Sequence, residues 1–225
     1  MQNQGKLIVI EGTDGSGKAT QTKLLMERLA KEGRKARTLS FPQYGKKSAG
    51  PVEEYLSGIY GRADKVSPYA ASTFFAVDRL DLALTIRELL RDGFIVVLDR
   101  YVDSNVGHQG GKIKDAKERG KFVHWLYDFE YRILNIPKPD IVLVLHINAR
   151  LGQELAKKRE TDKGAHPDSH EGDIEHLENA EKAYLWLTKK YHKDHKLIEC
   201  VEGGKLLSPE EVHKKVWMCL MPYVK

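Results

Sequence analysis

The chain has 225 residues, of which 41% are hydrophobic and 31% charged, and 37 basic against 32 acidic residues give a formal net charge of +5. This length suits one domain with a sizeable core, and no stretch approaches the ~20 apolar residues that a membrane span needs. The first residues carry no apolar secretory segment and two cysteines make no disulfide framework, so we expect a cytoplasmic protein. The basic residues are spread along the chain, which favours a small anionic ligand over nucleic acid.

Five short apolar runs predict β-strands, and helical patterns lie between them. The strands are Leu7–Ile10, Ala36–Phe41, Phe94–Leu98, Ile141–Ile147 and Leu197–Val201. The helices are expected near 18–32, 68–92, 116–135, 149–160, 174–192 and 208–221, the last with a capping box formed by Ser208 and Glu211. The alternation predicts one α/β domain over residues 1–225, with three layers around a five-stranded parallel sheet.

The first strand runs into a glycine-rich loop whose spacing, Gly12-x4-Gly17-Lys18, is that of a phosphate loop. Such a loop points successive backbone N–H groups into one cavity, and the helix that follows presents its positive end there. We therefore expect ATP to bind Gly12, Thr13, Asp14, Gly15, Ser16, Gly17, Lys18, Ala19 and Thr20. Lys18 is expected at the β- and γ-phosphates and Thr20 at the α-phosphate.

The third strand ends in an acid and a base, Asp99 and Arg100. An Asp after four apolar residues is typical of a strand end that holds Mg²⁺ or one of its waters. A guanidinium beside it can clamp a phosphate through two hydrogen bonds. Because parallel strands end at one edge of the sheet, we expect these side chains to face the phosphate loop.

At this point the chain resembles the thymidylate kinases, which transfer the γ-phosphate of ATP to dTMP. Five segments in family order carry the resemblance: Glu11–Lys18, Phe41–Tyr44, Phe74–Arg79, Asp99–Asn105 and Pro137–Asp140. The resemblance implies a P-loop fold like that of the nucleoside monophosphate kinases, with a short lid at about 157–173. It also implies ATP and dTMP as substrates and Mg²⁺ as the cofactor, whereas the composition and the lack of a long apolar stretch lead us to expect no nucleic-acid or membrane partner.

The resemblance also assigns roles to residues of the acceptor pocket. Asp14 matches the acid that contacts the acceptor's 3′-hydroxyl and the metal's surroundings. Phe75 matches the aromatic that stacks on thymine, and Arg79 matches an arginine that hydrogen-bonds the base. Their i, i+4 spacing puts both on one helical face. Phe41 and Tyr44 are expected to line the pocket.

Further roles follow from the same resemblance. Arg100 is expected to clamp the acceptor phosphate, and Asn105 to face the base. His108 stands where the family usually has Tyr or Phe beside the sugar's 2′ carbon. Because imidazole is smaller and can hydrogen-bond a hydroxyl, we expect weaker rejection of ribonucleotides. Gln43 or Tyr44 stands where members of the family often have an arginine that helps to hold the acceptor phosphate. We therefore expect Arg100 to contribute more of the phosphate binding in this chain.

The resemblance implies a catalytic cation either in the phosphate loop or on the lid, where it offsets the negative charge of the transferred phosphoryl group. Because the loop contains no arginine, we expect this cation from the lid. Arg159 is the first candidate, and Lys158 and Lys163 come next. With Lys18, Arg100 and Asp14, Arg159 completes the expected catalytic set.

The metal should be held by few protein ligands, since Ala19 lacks the hydroxyl that many phosphate loops offer to Mg²⁺. We expect Asp14, Asp99 and Glu171 behind the phosphates and waters.

Two alternatives to a dTMP kinase stay open at this point. One is a kinase for another nucleoside monophosphate or a deoxynucleoside, although no carboxylate base for a 5′-hydroxyl stands out. The other is a nucleotide-binding protein without turnover, a hypothesis that rests on Ala19.

The expected helix at 68–92 is apolar on more than one side, which indicates burial on more than one face. The resemblance implies that a second copy covers one of them in a homodimer.

Overall fold

A five-stranded parallel sheet forms the centre of the computed structural model, which describes residues 5–163 and 173–224. Its strands are β1 (Lys6–Gly12), β2 (Ala36–Ser40), β3 (Ile95–Asp99), β4 (Ile141–His146) and β5 (His195–Glu199). Their order across the sheet is β2-β3-β1-β4-β5, and every neighbouring pair is parallel. The predicted five-stranded parallel sheet is therefore confirmed.

Helices cover both faces of this sheet. They are α1 (Lys18–Lys31), α2 (Gly50–Leu56), α3 (Pro68–Asp81), α4 (Ala83–Arg91), α5 (Asp103–His108), α6 (Ala116–Tyr127), α7 (Ala149–Lys163), α8 (Ile174–Lys190) and α9 (Pro209–Val224). A small hairpin, β6 (Val201–Glu202) and β7 (Lys205–Leu206), precedes α9. None of the described helices combines the length and the apolar character that a bilayer crossing requires.

The alternating side chains of β1 divide the core into two clusters. Leu7 and Val9 pack on one face with residues of α4, α5, α6 and α8. Ile8 and Ile10 pack on the other face with residues of α1 and α9. All four side chains are fully buried, as expected for a strand covered on both faces. Helices on both faces of the sheet make the three layers that the sequence predicts.

The single helix predicted at 68–92 is wrong. The chain breaks at Leu82, where α3 ends and α4 begins, and neither proline nor glycine marks the place. The break follows packing: Ile86 of α4 enters the core beside the sheet, whereas α3 lies over the carboxyl ends of the strands. Val77, Leu80 and Leu84 are exposed in this single chain, so the face that the resemblance assigns to a second copy stays a prediction.

One other helix boundary needs correction. The helix predicted at 116–135 is α-helical only to Tyr127, and a π-helical turn continues over Asp128–Ile133.

At the start of α9, the amide of Ser208 donates to Glu211 and the amide of Glu211 donates to the Ser208 hydroxyl, so the predicted capping box is confirmed. The predicted patterns did not include the short helices α2 and α5.

Candidate active site

The glycine-rich loop joins β1 to α1 and has the backbone that a phosphate loop requires. Gly15 and Gly17 have φ angles of 76° and 89°, in the left-handed region that glycine adopts without strain. At Gly15 a Cβ would lie 1.9 Å from the carbonyl oxygen of Gly152, so only glycine allows this approach to α7. The first turn of α1 begins at Lys18, directly after the loop. The loop therefore presents a helix amino terminus as an anion site.

The side chain of Lys18 lies in this anion site and is almost completely buried. Its ammonium donates to the carbonyl oxygen of Thr13 at 2.9 Å and lies 3.9 Å from the Asp14 carboxylate. Burial, together with the nearby charge of Arg100, lowers the pKa of Lys18 to about 8, although Asp14 and Asp99 oppose the shift. A negatively charged phosphate bound here would favour the charged amine and would therefore raise the pKa of Lys18.

A cavity of about 320 Å³ opens beside the loop at the carboxyl ends of β1, β2 and β3. The structure brings thirteen of the predicted site residues to its wall: Asp14, Gly15, Gly17, Lys18, Ala19, Phe41, Tyr44, Phe75, Arg79, Asp99, Arg100, Asn105 and His108. The wall also includes residues without a predicted role, namely Ser40, Pro42, Leu56, Tyr101 and Ser104. Donor-side and acceptor-side residues thus share one cavity.

Arg100 connects the two sides of the cavity. Its Nη2 forms an ion pair with Asp14, which in turn lies near Lys18. Its Nη1 lies 3.3 Å from His108 Nε2 and 3.5 Å from the Ser104 hydroxyl. Burial disfavours the charge on Arg100, but Asp14 outweighs it and raises the pKa of the guanidinium above its usual value. Arg100 is therefore a permanent cation in the centre of the site.

Two histidines extend this contact toward the start of α8. Because a guanidinium only donates, His108 Nε2 accepts from Arg100 and the ring proton of a neutral His108 lies on Nδ1. That Nδ1 faces His176 Nε2 at 3.1 Å, and the two rings stack with centroids 5.4 Å apart. Burial and the charge of Lys112 lower the pKa of His176. Both effects disfavour a charge on His176, so its Nε2 can accept the Nδ1 proton of His108.

The guanidinium of Arg79, on the cavity wall, is held by three hydrogen bonds. Its Nε and Nη2 each donate to Glu130 at 2.6 Å, and Nη1 donates to the carbonyl oxygen of Tyr101 at 3.3 Å. Arg79 and Glu130 are both essentially inaccessible to solvent. Phe75, four residues before Arg79 and also on the cavity wall, packs edge-on against Tyr55 with ring centroids 6.1 Å apart.

The segment after β2 is held by the buried carboxylate of Asp78. The backbone amide and the side-chain amide of Gln43 donate to Asp78 at 2.9 and 3.0 Å. The hydroxyl of Ser48 donates to the same carboxylate at 2.8 Å. Gln43 therefore anchors the loop to α3, whereas Tyr44 is 60% exposed at the mouth of the cavity. Phe41, also on the cavity wall, is buried.

Several expected site residues lie elsewhere. Gly12, Thr13 and Ser16 form the buried base of the phosphate loop, and Thr20 is exposed on the first turn of α1. Arg159 belongs to the last turns of α7, and its side chain lies outside the described part of the structure. Glu171 also lies outside the described residues.

Two carboxylates of the cavity wall, Asp14 and Asp99, supply the kind of oxygen ligand that Mg²⁺ prefers. Across the described residues, no group of three or more His, Cys, Asp or Glu side chains is arranged to hold a metal. This sparse donor set fits an ion that keeps several waters and is bound mainly by phosphates.

The fold and this site define a P-loop phosphotransferase. A sequence model of the thymidylate kinase family matches residues 10–215. The thymidylate kinase of Mycobacterium tuberculosis is 37% identical over 171 residues, 75% of this chain and 79% of that protein. The Schizosaccharomyces pombe enzyme is 26% identical over 220 residues, 96% of this chain and 91% of that protein. The chain therefore belongs to the thymidylate kinase family and phosphorylates dTMP to dTDP.

A solved structure of thymidylate kinase from Candida albicans supports the fold independently. It has a TM-score of 0.72 and 24% sequence identity, and the match covers 97% of this chain and 92% of that chain. At this identity the likeness concerns the fold alone.

The sequence analysis gave no role to four residues that contact the predicted site residues: Glu11, Ser104, Glu130 and His176. Glu130 and His176 lie far along the chain from the residues they contact, so no local spacing points to them. Glu11 and Ser104 lie within the segments that carry the family resemblance, and this position was the one feature of the sequence that could have indicated a role for them.

Proposed function

We propose that phosphoryl transfer takes place beside Asp14, with ATP on the phosphate loop and dTMP in the cavity between α3 and α5. The observation that carries this proposal is a row of three charged side chains, Lys18, Asp14 and Arg100. The Asp14 carboxylate lies 3.9 Å from the Lys18 ammonium and forms an ion pair with the Arg100 guanidinium. Lys18 starts α1 beside the loop, and Arg100 follows β3. Cations for the donor and acceptor phosphates are therefore only one side chain apart.

The reaction needs little proton chemistry from the protein. An oxygen of the acceptor phosphate is already ionised when it attacks the γ-phosphorus, and the bond to the β–γ bridging oxygen breaks in line with it. Lys18 and Arg100 offset the charge that spreads over the transferred group, and the cavity orients the reactants. When bound, Mg²⁺ near Asp14 and Asp99 would neutralise charge on the β- and γ-phosphates. Arg159 is the proposed lid cation.

Thymine would lie between Phe75 and the residues of α5. Phe75 is half-buried on the cavity wall, where its ring can stack on a base. Three of the five N–H groups of Arg79 donate to Glu130 and Tyr101, so base recognition falls to the remaining two and to Asn105. Phe41 and Tyr44 close the pocket at the loop after β2.

His108 is the proposed determinant of sugar choice. Its ring shares the cavity wall with Arg100, and its Nδ1 is occupied by His176. A smaller ring than Tyr or Phe leaves more space beside C2′ of the sugar, and this supports weaker rejection of ribonucleotides.

A homodimer is proposed from the exposed face of α3 and α4. Val77 and Leu80, three residues apart on α3, are 50% and 42% exposed, and Leu84, at the start of α4, is 61% exposed. A second copy related by a twofold axis would bury the same three side chains on both molecules.

Release of ADP by the purified chain, with ATP and Mg²⁺, tests the acceptor assignment. The acceptors to compare are dTMP, dUMP, UMP, CMP, AMP, GMP and thymidine. We expect the highest kcat/KM for dTMP. We expect no turnover of thymidine, because it has no phosphate for Arg100 to bind. ATP binding without turnover on any acceptor would instead favour a binding protein, and a preference for another monophosphate would reassign the base pocket.

A further inference from the structure

Glu11, the next-to-last residue of β1, is a fully buried carboxylate beside the phosphate loop. It accepts three hydrogen bonds from neutral donors. The backbone amide of Tyr101 donates to Oε1 at 2.7 Å, and the hydroxyls of Ser104 and Tyr184 donate to Oε2 at 2.8 and 2.9 Å. One side chain thus connects β1 with the segment after β3, with α5 and with α8.

The residue preceding Tyr101 has an unusual backbone. Arg100 has a φ of 68°, in the left-handed region that a residue with a side chain adopts only when its surroundings impose it. Hydrogen bonds hold the amides on both sides of its Cα. The amide of Arg100 donates to the carbonyl oxygen of Ile10 at 3.0 Å, and the next amide donates to Glu11. Two consecutive residues of β1 therefore fix this turn.

Ser104 links Glu11 to the guanidinium itself. Its hydroxyl proton is directed to Glu11, so an oxygen lone pair is available to Arg100 Nη1 at 3.5 Å. Removal of the Glu11 carboxylate would release both the turn and this hydroxyl. The same guanidinium forms the ion pair with Asp14.

We propose that Glu11 is a positioning residue, which fixes the left-handed turn at Arg100 and thereby directs the guanidinium toward the acceptor phosphate. A fully buried carboxylate is costly, and burial together with Asp103 raises the pKa of Glu11 to about 7 although Arg100 opposes the shift. Three aligned donors make the anion tolerable at this place. The inference rests on the clamp proposed for Arg100.

The first test compares Glu11→Gln with Asp140→Asn in the full chain. Asp140 also accepts a β1 amide, that of Leu7 at 2.9 Å, but at the opposite end of the strand. For Glu11→Gln we expect KM for dTMP to rise about tenfold or more and KM for ATP to stay within about twofold. Asp140→Asn should leave both KM values near wild type. Equal rises in both KM values for Glu11→Gln would overturn the inference.

A double-mutant cycle separates positioning from a general loss of structure. Arg100→Ala removes the guanidinium, so adding Glu11→Gln to it should raise KM for dTMP no further. Additive effects of the two substitutions would overturn the positioning role while the clamp stands. A wild-type KM for dTMP in Arg100→Ala would refute the clamp, and the positioning role with it.

Ser104→Ala keeps the inference testable if Glu11→Gln fails to fold. This variant retains the carboxylate and its other two donors, Tyr101 and Tyr184, and removes the hydroxyl that lies between Glu11 and Nη1. We expect a rise of severalfold in KM for dTMP, without a change in KM for ATP. An unchanged KM for dTMP in this variant would count against the inference.

Discussion

The Arg79 guanidinium and the Glu130 carboxylate form a two-pronged ion pair behind the acceptor cavity, with both N···O distances at 2.6 Å. The two residues lie on α3 and on the π-helical turn after α6. Burial disfavours the charge on Arg79, but Glu130 outweighs it and raises the pKa of the guanidinium above its usual value. The cavity wall therefore contains a fixed, fully charged arginine.

Substitution of Glu130 by Gln should be strongly destabilising, because it leaves the Arg79 charge buried without a counterion. We expect the free energy of unfolding to fall by about 3–5 kcal/mol, measured by urea denaturation. Glu118→Gln is the control, since its carboxylate pairs with Lys121 on the exposed face of α6. The control should change stability little. A small effect of Glu130→Gln would mean that the Arg79 guanidinium finds another partner or solvent.

Stability should depend on pH through His195, whose ring lies between two carboxylates. Nε2 faces Asp103 and Nδ1 faces Asp194, both at 2.9 Å. Burial disfavours the imidazolium, but the charge and hydrogen bonds of Asp103 and Asp194 outweigh it and raise the pKa of His195 to about 9. The folded state therefore holds this proton more tightly than the unfolded chain, where the pKa is about 6.5.

The resulting contribution to stability is fully present below pH 6.5 and is lost as the pH rises to about 9. Its upper size is roughly 3 kcal/mol. Urea denaturation of wild type and His195→Gln at pH 6 and pH 9.5 checks this, because the difference between them should shrink at the higher pH. The same comparison with His124→Gln, an exposed site on α6, should show a small difference at both values. A constant difference for His195→Gln would exclude a buried imidazolium.

Replacing Ala19 by Ser should strengthen the use of Mg²⁺. Ala19 is the second residue of α1 and lines the cavity, where other phosphate loops present a hydroxyl to the metal. We expect the Mg²⁺ concentration for half-maximal ADP release to fall severalfold. Ala30→Ser makes the same change on an exposed position of α1 away from the cavity and should have no such effect. Equal responses of the two variants would mean that the metal does not approach position 19.

The sequence predicted those parts of the molecule that depend on local pattern. The apolar runs that became β1, β3 and β4 are continuous because helices cover both faces of the sheet. The glycines of the phosphate loop are required by the backbone itself, as the close approach at Gly15 shows. The capping box at Ser208 and Glu211 is likewise a local hydrogen-bond pattern.

The remaining features depend on contacts between distant segments. Arg79 pairs with a residue 51 positions away, and Tyr184 reaches Glu11 across 173 positions. The spacing of apolar residues along the sequence does not indicate such a contact. The break at Leu82 is of the same kind, because the helical pattern continues through it and only packing on different parts of the sheet redirects the chain.

His108→Tyr tests the proposal for sugar choice. A larger ring should occupy space beside the 2′ carbon, so we expect the ratio of kcat/KM for dTMP to that for UMP to increase severalfold. The kcat/KM ratio of dTMP to dUMP serves as the internal control, because those two substrates share the same sugar. It should stay nearly constant. If the dTMP to UMP ratio is also unchanged, His108 does not determine the choice of sugar.

The exposed apolar face of α3 and α4 predicts that self-association depends on Leu80. In a twofold interface each copy of this side chain would be buried, and a Glu there would place two charges in an apolar contact without partners. Sedimentation should therefore give a dimer for wild type and a monomer for Leu80→Glu. Met218→Glu is the matched control, since Met218 is 58% exposed on α9 and lies on another part of the surface. A monomeric wild type, or a dimeric Leu80→Glu, would exclude this face as the interface, and the activity of the monomeric variant would show whether the site needs its partner.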